Sequence, residues 1–465
     1  MKSYDLIVIG AGPGGYIAAA EAGKHGKSVL LIEESKLGGV CLNAGCIPTK
    51  TLLNTSKHYL HVRKGDVKGL APHQPDLDWE AALAWKDKVV ATYQKGIESL
   101  LKASKVEVLN ARAVFLDRST VEAGGETYKA EAILIATGSR PALPPIPGLA
   151  DSPAVVTSTQ LLEMKRIPKS LAVIGGGVIG LEFGAMYSQL GARVDVVEML
   201  GEIVPFMEPE LRKGLMRALQ PMEFHLDSKV EAIERISETE STVVFSKIGS
   251  EAGGEKQRIV ADTILVATGR RANIENLGLE AAGVKTARGC ILVNERMETS
   301  APRIYAIGDV VGTSLFAHSA SRMAEVAVKV LCGDRTAAMR YNAIPWAVYT
   351  WPEAAGCGLS EAAAISAGHQ VHSAQASLKL SARFYAENEN QPGMIKVVAD
   401  KDSGVLLGVQ MLGANCSEMI WGASMAVQLG LTAEQAAETI FPHPTTGEVL
   451  RDVLIKLTET QAPKH

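Results

Sequence analysis

The chain has 465 residues, 47% of them apolar and 21% charged. That is the balance of a folded globular protein, too long for one small core, so about three domains are expected. A net charge of −4 offers no basic face to nucleic-acid phosphates or anionic lipid, which sets nucleic-acid and membrane partners aside.

At the start, Lys2 and the apolar run Leu6 to Ile9 imitate a signal peptide, but Asp5 interrupts it and Gly10, Gly12, Gly14 and Gly15 break it. No stretch approaches the ~20 apolar residues that span a bilayer, and a cytoplasmic protein is expected. Residues 4–34 read instead as strand, glycine turn, helix and second strand, with G-x-G-x-x-G at the turn. In such a unit Gly10 makes the tight turn, Gly12 lets the backbone approach a pyrophosphate, and Gly15 lets helix pack on strand. The phosphate then meets free amides at the helix N-terminus. Glu33, 23 positions after Gly10, is placed to accept hydrogen bonds from ribose hydroxyls.

Residues 38–50 read GGVCLNAGCIPTK. On a helical segment, Cys41 and Cys46 fall on neighbouring turns, within disulfide reach if the backbone bends slightly. A helix N-terminus and the nearby Lys50 would favour the thiolate. Two buried thiols are the plainer reading of such a pair, and a metal site would want more ligands, so no metal is expected. Beside a dinucleotide motif the redox reading is favoured. Cys290, Cys332, Cys357 and Cys416 stand alone and read as small buried hydrophobes.

Residues 131–141 are a short apolar strand running into Ala136-Thr137-Gly138-Ser139, where a ligand would lie against the strand's carboxyl end. The two-part pattern then repeats. Residues 170–199 carry Gly175, Gly177 and Gly180, with Glu198 again 23 positions after the first glycine, and 261–271 end another strand in Ala-Thr-Gly269. One such motif is weak; two in the same strand–turn–helix–strand context predict two nucleotide-binding domains on one plan. Glu198 would repel a 2′-phosphate, Met199 and Leu200 offer no cation, and Arg193 is expected in solvent, so NAD is expected over NADP.

Further on, the Gly-Asp of IYAIGD (304–309) reads by itself as a turn. Apolar strands at Gly393 to Ala399 and Leu406 to Leu412, with a capping box at Thr432 to Gln435, predict an α+β domain. In FPHPTTGE (441–448), a histidine between two prolines read alone is a rigid surface turn. Glu448 could instead orient His443 through one ring nitrogen and leave the other to accept a proton.

Together these segments resemble the class I pyridine nucleotide–disulfide oxidoreductases from residue 4 to about residue 457. Ile47-Pro48-Thr49-Lys50 is closer to the dihydrolipoamide dehydrogenases of that family than to its glutathione reductases. The resemblance implies an α/β fold of two Rossmann-like dinucleotide-binding domains plus a C-terminal α+β dimerisation domain. Residues 1–148 and 271–345 would bind FAD, 149–270 would bind NAD, and 346–465 would form the interface. It places FAD on the first motif and NAD on the second. Thr137 and Gly138 would border the flavin cofactor, Asp309 would accept from its ribityl chain, and Leu315, Phe316, Ala317 and His318 would run beneath it. Ala113, Ser139, Val230 and Gly269 would complete the cofactor contacts.

By the same resemblance Cys41 is the interchange thiol that meets substrate, Cys46 faces the flavin, and Lys50 lies near flavin N5 paired with Glu182. His443 and Glu448 resemble an active-site dyad, with a cis peptide before Pro444, that faces the cysteines of the other subunit of a homodimer. The implied reaction oxidises dihydrolipoyl groups and reduces NAD+. A base is needed because a thiol must lose its proton before it attacks a disulfide. The dihydrolipoyl groups would be carried on a lipoyl domain of a 2-oxo acid dehydrogenase or glycine cleavage complex. An NAD(P)H-dependent reductase of another small disulfide, as in glutathione reductase, is the alternative. Two departures from the family pattern, Ser321-Arg322-Met323 after Ala-His and Trp351 in Tyr-Thr-Trp-Pro-Glu, bear on local dimer contacts. The tail Gln461 to His465 lacks the extra thiols of thioredoxin and mercuric reductases.

Overall fold

In the computed structural model, residues 1–65, 68–249 and 256–459 are described, and the tail 461–465 lies outside them. The apolar N-terminal run becomes strand β1 (Lys2–Ile9), followed by helix α1 (Pro13–Lys24) and strand β2 (Val29–Glu33). β1 pairs in parallel with β2 on one side and with the strand Glu126–Ile135 on the other. Leu6, Ile7 and Val8 have no solvent exposure, as expected of a parallel strand covered on both faces. Helices α2 (Gly39–Ala44), α3 (Cys46–Lys64) and α4 (Trp79–Ala103) follow.

The second glycine unit builds a separate parallel sheet from Ser170–Ile174, Arg193–Val197, Glu223–His225, Thr263–Val266 and Val155–Thr157. Between the sheets the chain crosses out along Ser139–Pro141 and back along Arg270–Ala272, and these crossings pair antiparallel. The strand Ile304–Ala306 then rejoins the first sheet beside Ile133–Ile135. Gly14 explains the fit of the helix that follows: a Cβ there would sit 2.9 Å from Ile307 and 3.2 Å from Ala320 O, so α1 and the helix Ala317–Leu331 pack closely at that glycine.

The C-terminal part is a five-stranded antiparallel sheet. Its strands Met394–Asp400 and Leu406–Gly413 lie within a residue of the predicted ones. Both halves of the capping box form between Thr432 and Gln435. A buried ion pair ties this sheet to the second unit: Lys396 Nζ lies 2.9 Å from Glu208 and 2.7 Å from Glu361. The isolated cysteines depart from the sequence reading. Cys357 and Cys416 are buried, but Cys290 is half-buried and Cys332 is exposed at the end of the helix Ala317–Leu331, where a helix terminus leaves the side chain in solvent.

Candidate active site

The two glycine turns are built alike. Gly10 (φ +98°) and Gly175 (φ +111°) adopt left-handed backbone, and a Cβ there would meet Ala136 O at 2.4 Å and Ala267 O at 2.5 Å. These contacts bring each Ala-Thr-Gly strand end against its glycine turn. Gly15 and Gly180 allow close packing: a Cβ would fall 1.8 and 2.1 Å from the carbonyl oxygens of Gly10 and Gly175. Gly12 and Gly177, by contrast, face open space and stand at the N-caps of their helices without a side-chain cap. Amides left free there suit a pyrophosphate.

Glu33 accepts the Ala11 N–H at 2.6 Å and the Ser35 N–H at 2.9 Å. Glu198 does the same with the N–H groups of Gly176 (2.6 Å) and Leu200 (2.8 Å). Each carboxylate is thereby fixed at the turn and keeps lone pairs for a diol. Ala111 N–H donates to Glu33 O at 3.0 Å, leading the chain past this acid toward Ala113, and Ser228 N–H donates to Glu198 O at 2.9 Å, two residues before Val230. Arg193 is exposed, as expected, and from the surface it hydrogen-bonds Val260 O and lies 3.4 Å from Asp195.

Where the crossings meet the first sheet, Thr137 and Asn273 exchange hydrogen bonds at 2.7 and 2.9 Å. Ser139 donates to Asp309, which sits in the short turn Gly308–Val311. Arg270, beside Gly269, donates to Ser139 Oγ and O, both at 2.7 Å, and lies 3.7 Å from Asp309. Downstream, Leu315 is exposed while Phe316 and His318 stack at 5.2 Å. His318 Nε2 lies 2.8 Å from Pro345 O, and burial pushes its proton affinity down.

Cys41 lies in α2 and Cys46 opens α3. They do not share one helical segment as expected, because Gly45 (φ −147°, ψ −115°) breaks the helix between them. The break puts Cys46 at the N-terminus of a 19-residue helix, where the dipole favours a thiolate. Both are free thiols, half-buried Cys41 and exposed Cys46. The two thiols are coupled: interaction with Cys41, aided by Lys50, lowers Cys46 to about 7 and raises Cys41.

Lys50, one turn into α3, reaches Glu182 Oε2 at 2.7 Å from the helix Val178–Gln189. Glu182 is buried, and its other oxygen accepts the Tyr349 N–H at 3.1 Å. Burial pushes the Lys50 proton affinity down, but the Glu182 carboxylate outweighs it and favours the ammonium.

His443 Nδ1 lies 2.8 Å from Glu448 Oε1, and Glu448 Oε2 accepts the Thr445 N–H at 2.8 Å. Glu448 stays ionised below the usual carboxylate range, held first by that N–H and then by His443. The His443–Pro444 peptide is cis. His443 is 79% exposed, and among the described residues no hydrogen bond or ion pair within the chain joins it to either thiol.

The family description "Pyridine nucleotide-disulphide oxidoreductase" matches residues 4–324, and that family's dimerisation domain matches 344–454. The chain belongs to this family. Dihydrolipoyl dehydrogenase of Thermus scotoductus is 42% identical over 97% of each chain, and that of Geobacillus stearothermophilus is 38% identical over 96% of this chain and 94% of its own. Among solved structures, the Cu(II) complex of the HOCl-induced flavoprotein disulfide reductase RclA from Escherichia coli superposes with a TM-score of 0.86 at 27% identity. That match covers 98% of this chain and 100% of the other.

For this pyridine nucleotide–disulphide oxidoreductase the cofactors are FAD and NAD, and both cradles fit a dinucleotide in backbone amides and acceptor carboxylates. Sequence reasoning missed three residues of the site: Arg270, Asn273 and Tyr349. Arg270 was within reach, because it stands where the other copy of the Ala-Thr-Gly repeat has Ser139. Tyr349 opens the Tyr-Thr-Trp-Pro-Glu stretch, but nothing in that stretch points to Lys50 or Glu182, which lie far away along the chain.

Proposed function

We infer that the chain is a dihydrolipoyl dehydrogenase, oxidising dihydrolipoyl groups to lipoyl with reduction of NAD+ through the Cys41–Cys46 pair. The observation that carries this reading is the thiol pair at the N-terminus of α3, with Lys50 of that helix paired to Glu182 of the helix that follows the second glycine turn. The relatives at 42% and 38% identity carry that printed name.

In the proposed cycle Cys41 and Cys46 begin as a disulfide. His443 takes a proton from one substrate thiol, and the resulting thiolate attacks Cys41, displacing Cys46 as a thiolate. The second substrate thiol attacks the mixed disulfide and releases cyclic lipoyl, leaving both cysteines reduced. The helix N-terminus and the Lys50 ammonium hold Cys46 as thiolate. FAD, held by the first glycine cradle and Glu33, would supply the route by which the electron pair of the dithiol reaches NAD+ and the disulfide is restored. Glu448 orients His443, and Glu198 keeps the second cradle selective for NAD.

The base is brought to the thiols by a homodimer, in which His443 of the partner subunit faces Cys41. Residues 1–148 and 271–345 form the FAD domain, 149–270 the NAD domain and 346–465 the interface. The remaining cofactor contacts are those named from the sequence. The substrate is carried on a lipoyl domain of a 2-oxo acid dehydrogenase or glycine cleavage complex, in the cytoplasm. Among the described residues no helix is long and apolar enough to cross a membrane. Cys46→Ser tests the assignment: dithiol turnover is lost while the yellow flavin stays bound. Retained turnover, or loss of the flavin in that variant, contradicts the role given to Cys46.

A further inference from the structure

The Lys50–Glu182 pair is touched by a third element. Tyr349 follows the strand Trp346–Val348 of the C-terminal sheet, far in sequence from both partners. Its ring centroid lies 4.6 Å from Lys50 Nζ, and its own N–H donates to Glu182 Oε1 at 3.1 Å. One residue therefore holds both members of the pair, the ammonium by its ring face and the carboxylate by its backbone. An aromatic face attracts a cation through its quadrupole, which a Leu or Met of similar bulk does not.

We propose that Tyr349 is a positioning residue for Lys50, through which the interface domain sets the cation that stabilises the Cys46 thiolate. Burial pushes the Tyr349 phenol up, so the ring is neutral in the working range and acts by its face, not by ionising. The charged and titratable groups facing Cys46 are Cys41 from α2, Lys50 from α3, Glu182 from the helix Val178–Gln189, Arg270 from the returning crossing, and Tyr349. Of these, Lys50 alone is both a cation and under the Tyr349 ring. The sequence cue was invisible because the three partners come from three parts of the chain.

The inference rests on the thiol pair being the redox centre. Its test reads Cys46 directly, so an error in the lipoyl assignment would leave it standing. In FAD-loaded enzyme carrying Cys41→Ser, the long-wavelength absorbance of the Cys46 thiolate against flavin is followed with pH. Tyr349→Leu raises the midpoint by about half a pH unit, the scale of a modest cation–π contact. Tyr349→Phe keeps the ring and the parent midpoint. With Lys50→Met added, Tyr349→Leu produces no further shift, because its effect runs through the ammonium. An unshifted Leu variant, a shift equal in Phe and Leu, or a shift that persists without Lys50 overturns the proposal. If Tyr349→Leu does not hold flavin, Tyr349→Met is read by the same criteria.

Discussion

Cys46 and His443 illustrate how single residues gain chemistry from neighbours. Cys46 is lowered toward the thiolate first by its coupling to Cys41 and then by Lys50. His443 depends on Glu448 in a different way, through orientation. Because Glu448 accepts both the Thr445 N–H and the His443 ring, Glu448→Ala frees the imidazole to rotate. The expected result is a fall in kcat of about ten- to a hundredfold, within what a misaligned general base costs, with flavin content unchanged. Stopped-flow reduction of the enzyme by dithiol measures it. At this scale much was legible: the spacing of Glu33, Glu198, Cys41, Cys46 and Lys50 pointed to each. Lys50–Glu182 came from resemblance alone; Arg270 was readable from the repeat, whereas the role of Tyr349 was hidden because its partners lie far away along the chain.

The turns and crossings between elements decide where those residues meet. Alternation of apolar runs with glycine turns made both parallel sheets readable, since buried parallel strands are continuously apolar. The break at Gly45 was not readable. A glycine inside a helical pattern is often tolerated, and only the ψ of −115° shows that this one ends α2. The antiparallel crossing Ser139–Pro141 with Arg270–Ala272 carries its own clamp: Arg140 grips Glu275 through both oxygens at 2.9 and 2.6 Å. That contact holds Glu275 down to about 2. A carboxylate whose folded proton affinity is depressed adds stability above its unfolded value and loses it as pH falls. Glu275→Gln should therefore lower Tm at neutral pH by a margin that shrinks as pH falls from about 5 to about 2, as followed by thermal unfolding. A margin independent of pH would assign the effect to packing instead. The contribution is modest, since both partners are well exposed.

At the scale of the whole molecule, the C-terminal domain leaves apolar surface uncovered around the dyad. A groove of about 590 Å³ is lined by Leu378, Met419, Trp421, Met425 and Ile440, with Pro442 and Thr445 on either side of His443. Ile440 is 98% exposed and Trp421 67%, so this face presents large apolar side chains to solvent. A second copy on this face would carry His443 toward another chain's thiols. Hybrid dimers check this. Mixing Cys46→Ser with His443→Gln chains leaves one intact site in each hybrid if base and thiols come from different subunits, and random mixing then restores about a quarter of parental activity. No restoration contradicts the shared site. The most direct measurement compares steady-state turnover of dihydrolipoamide with NAD+ against oxidised glutathione with NADPH. The first pair should be turned over with far the higher kcat/KM, and preference for the second would contradict the assignment.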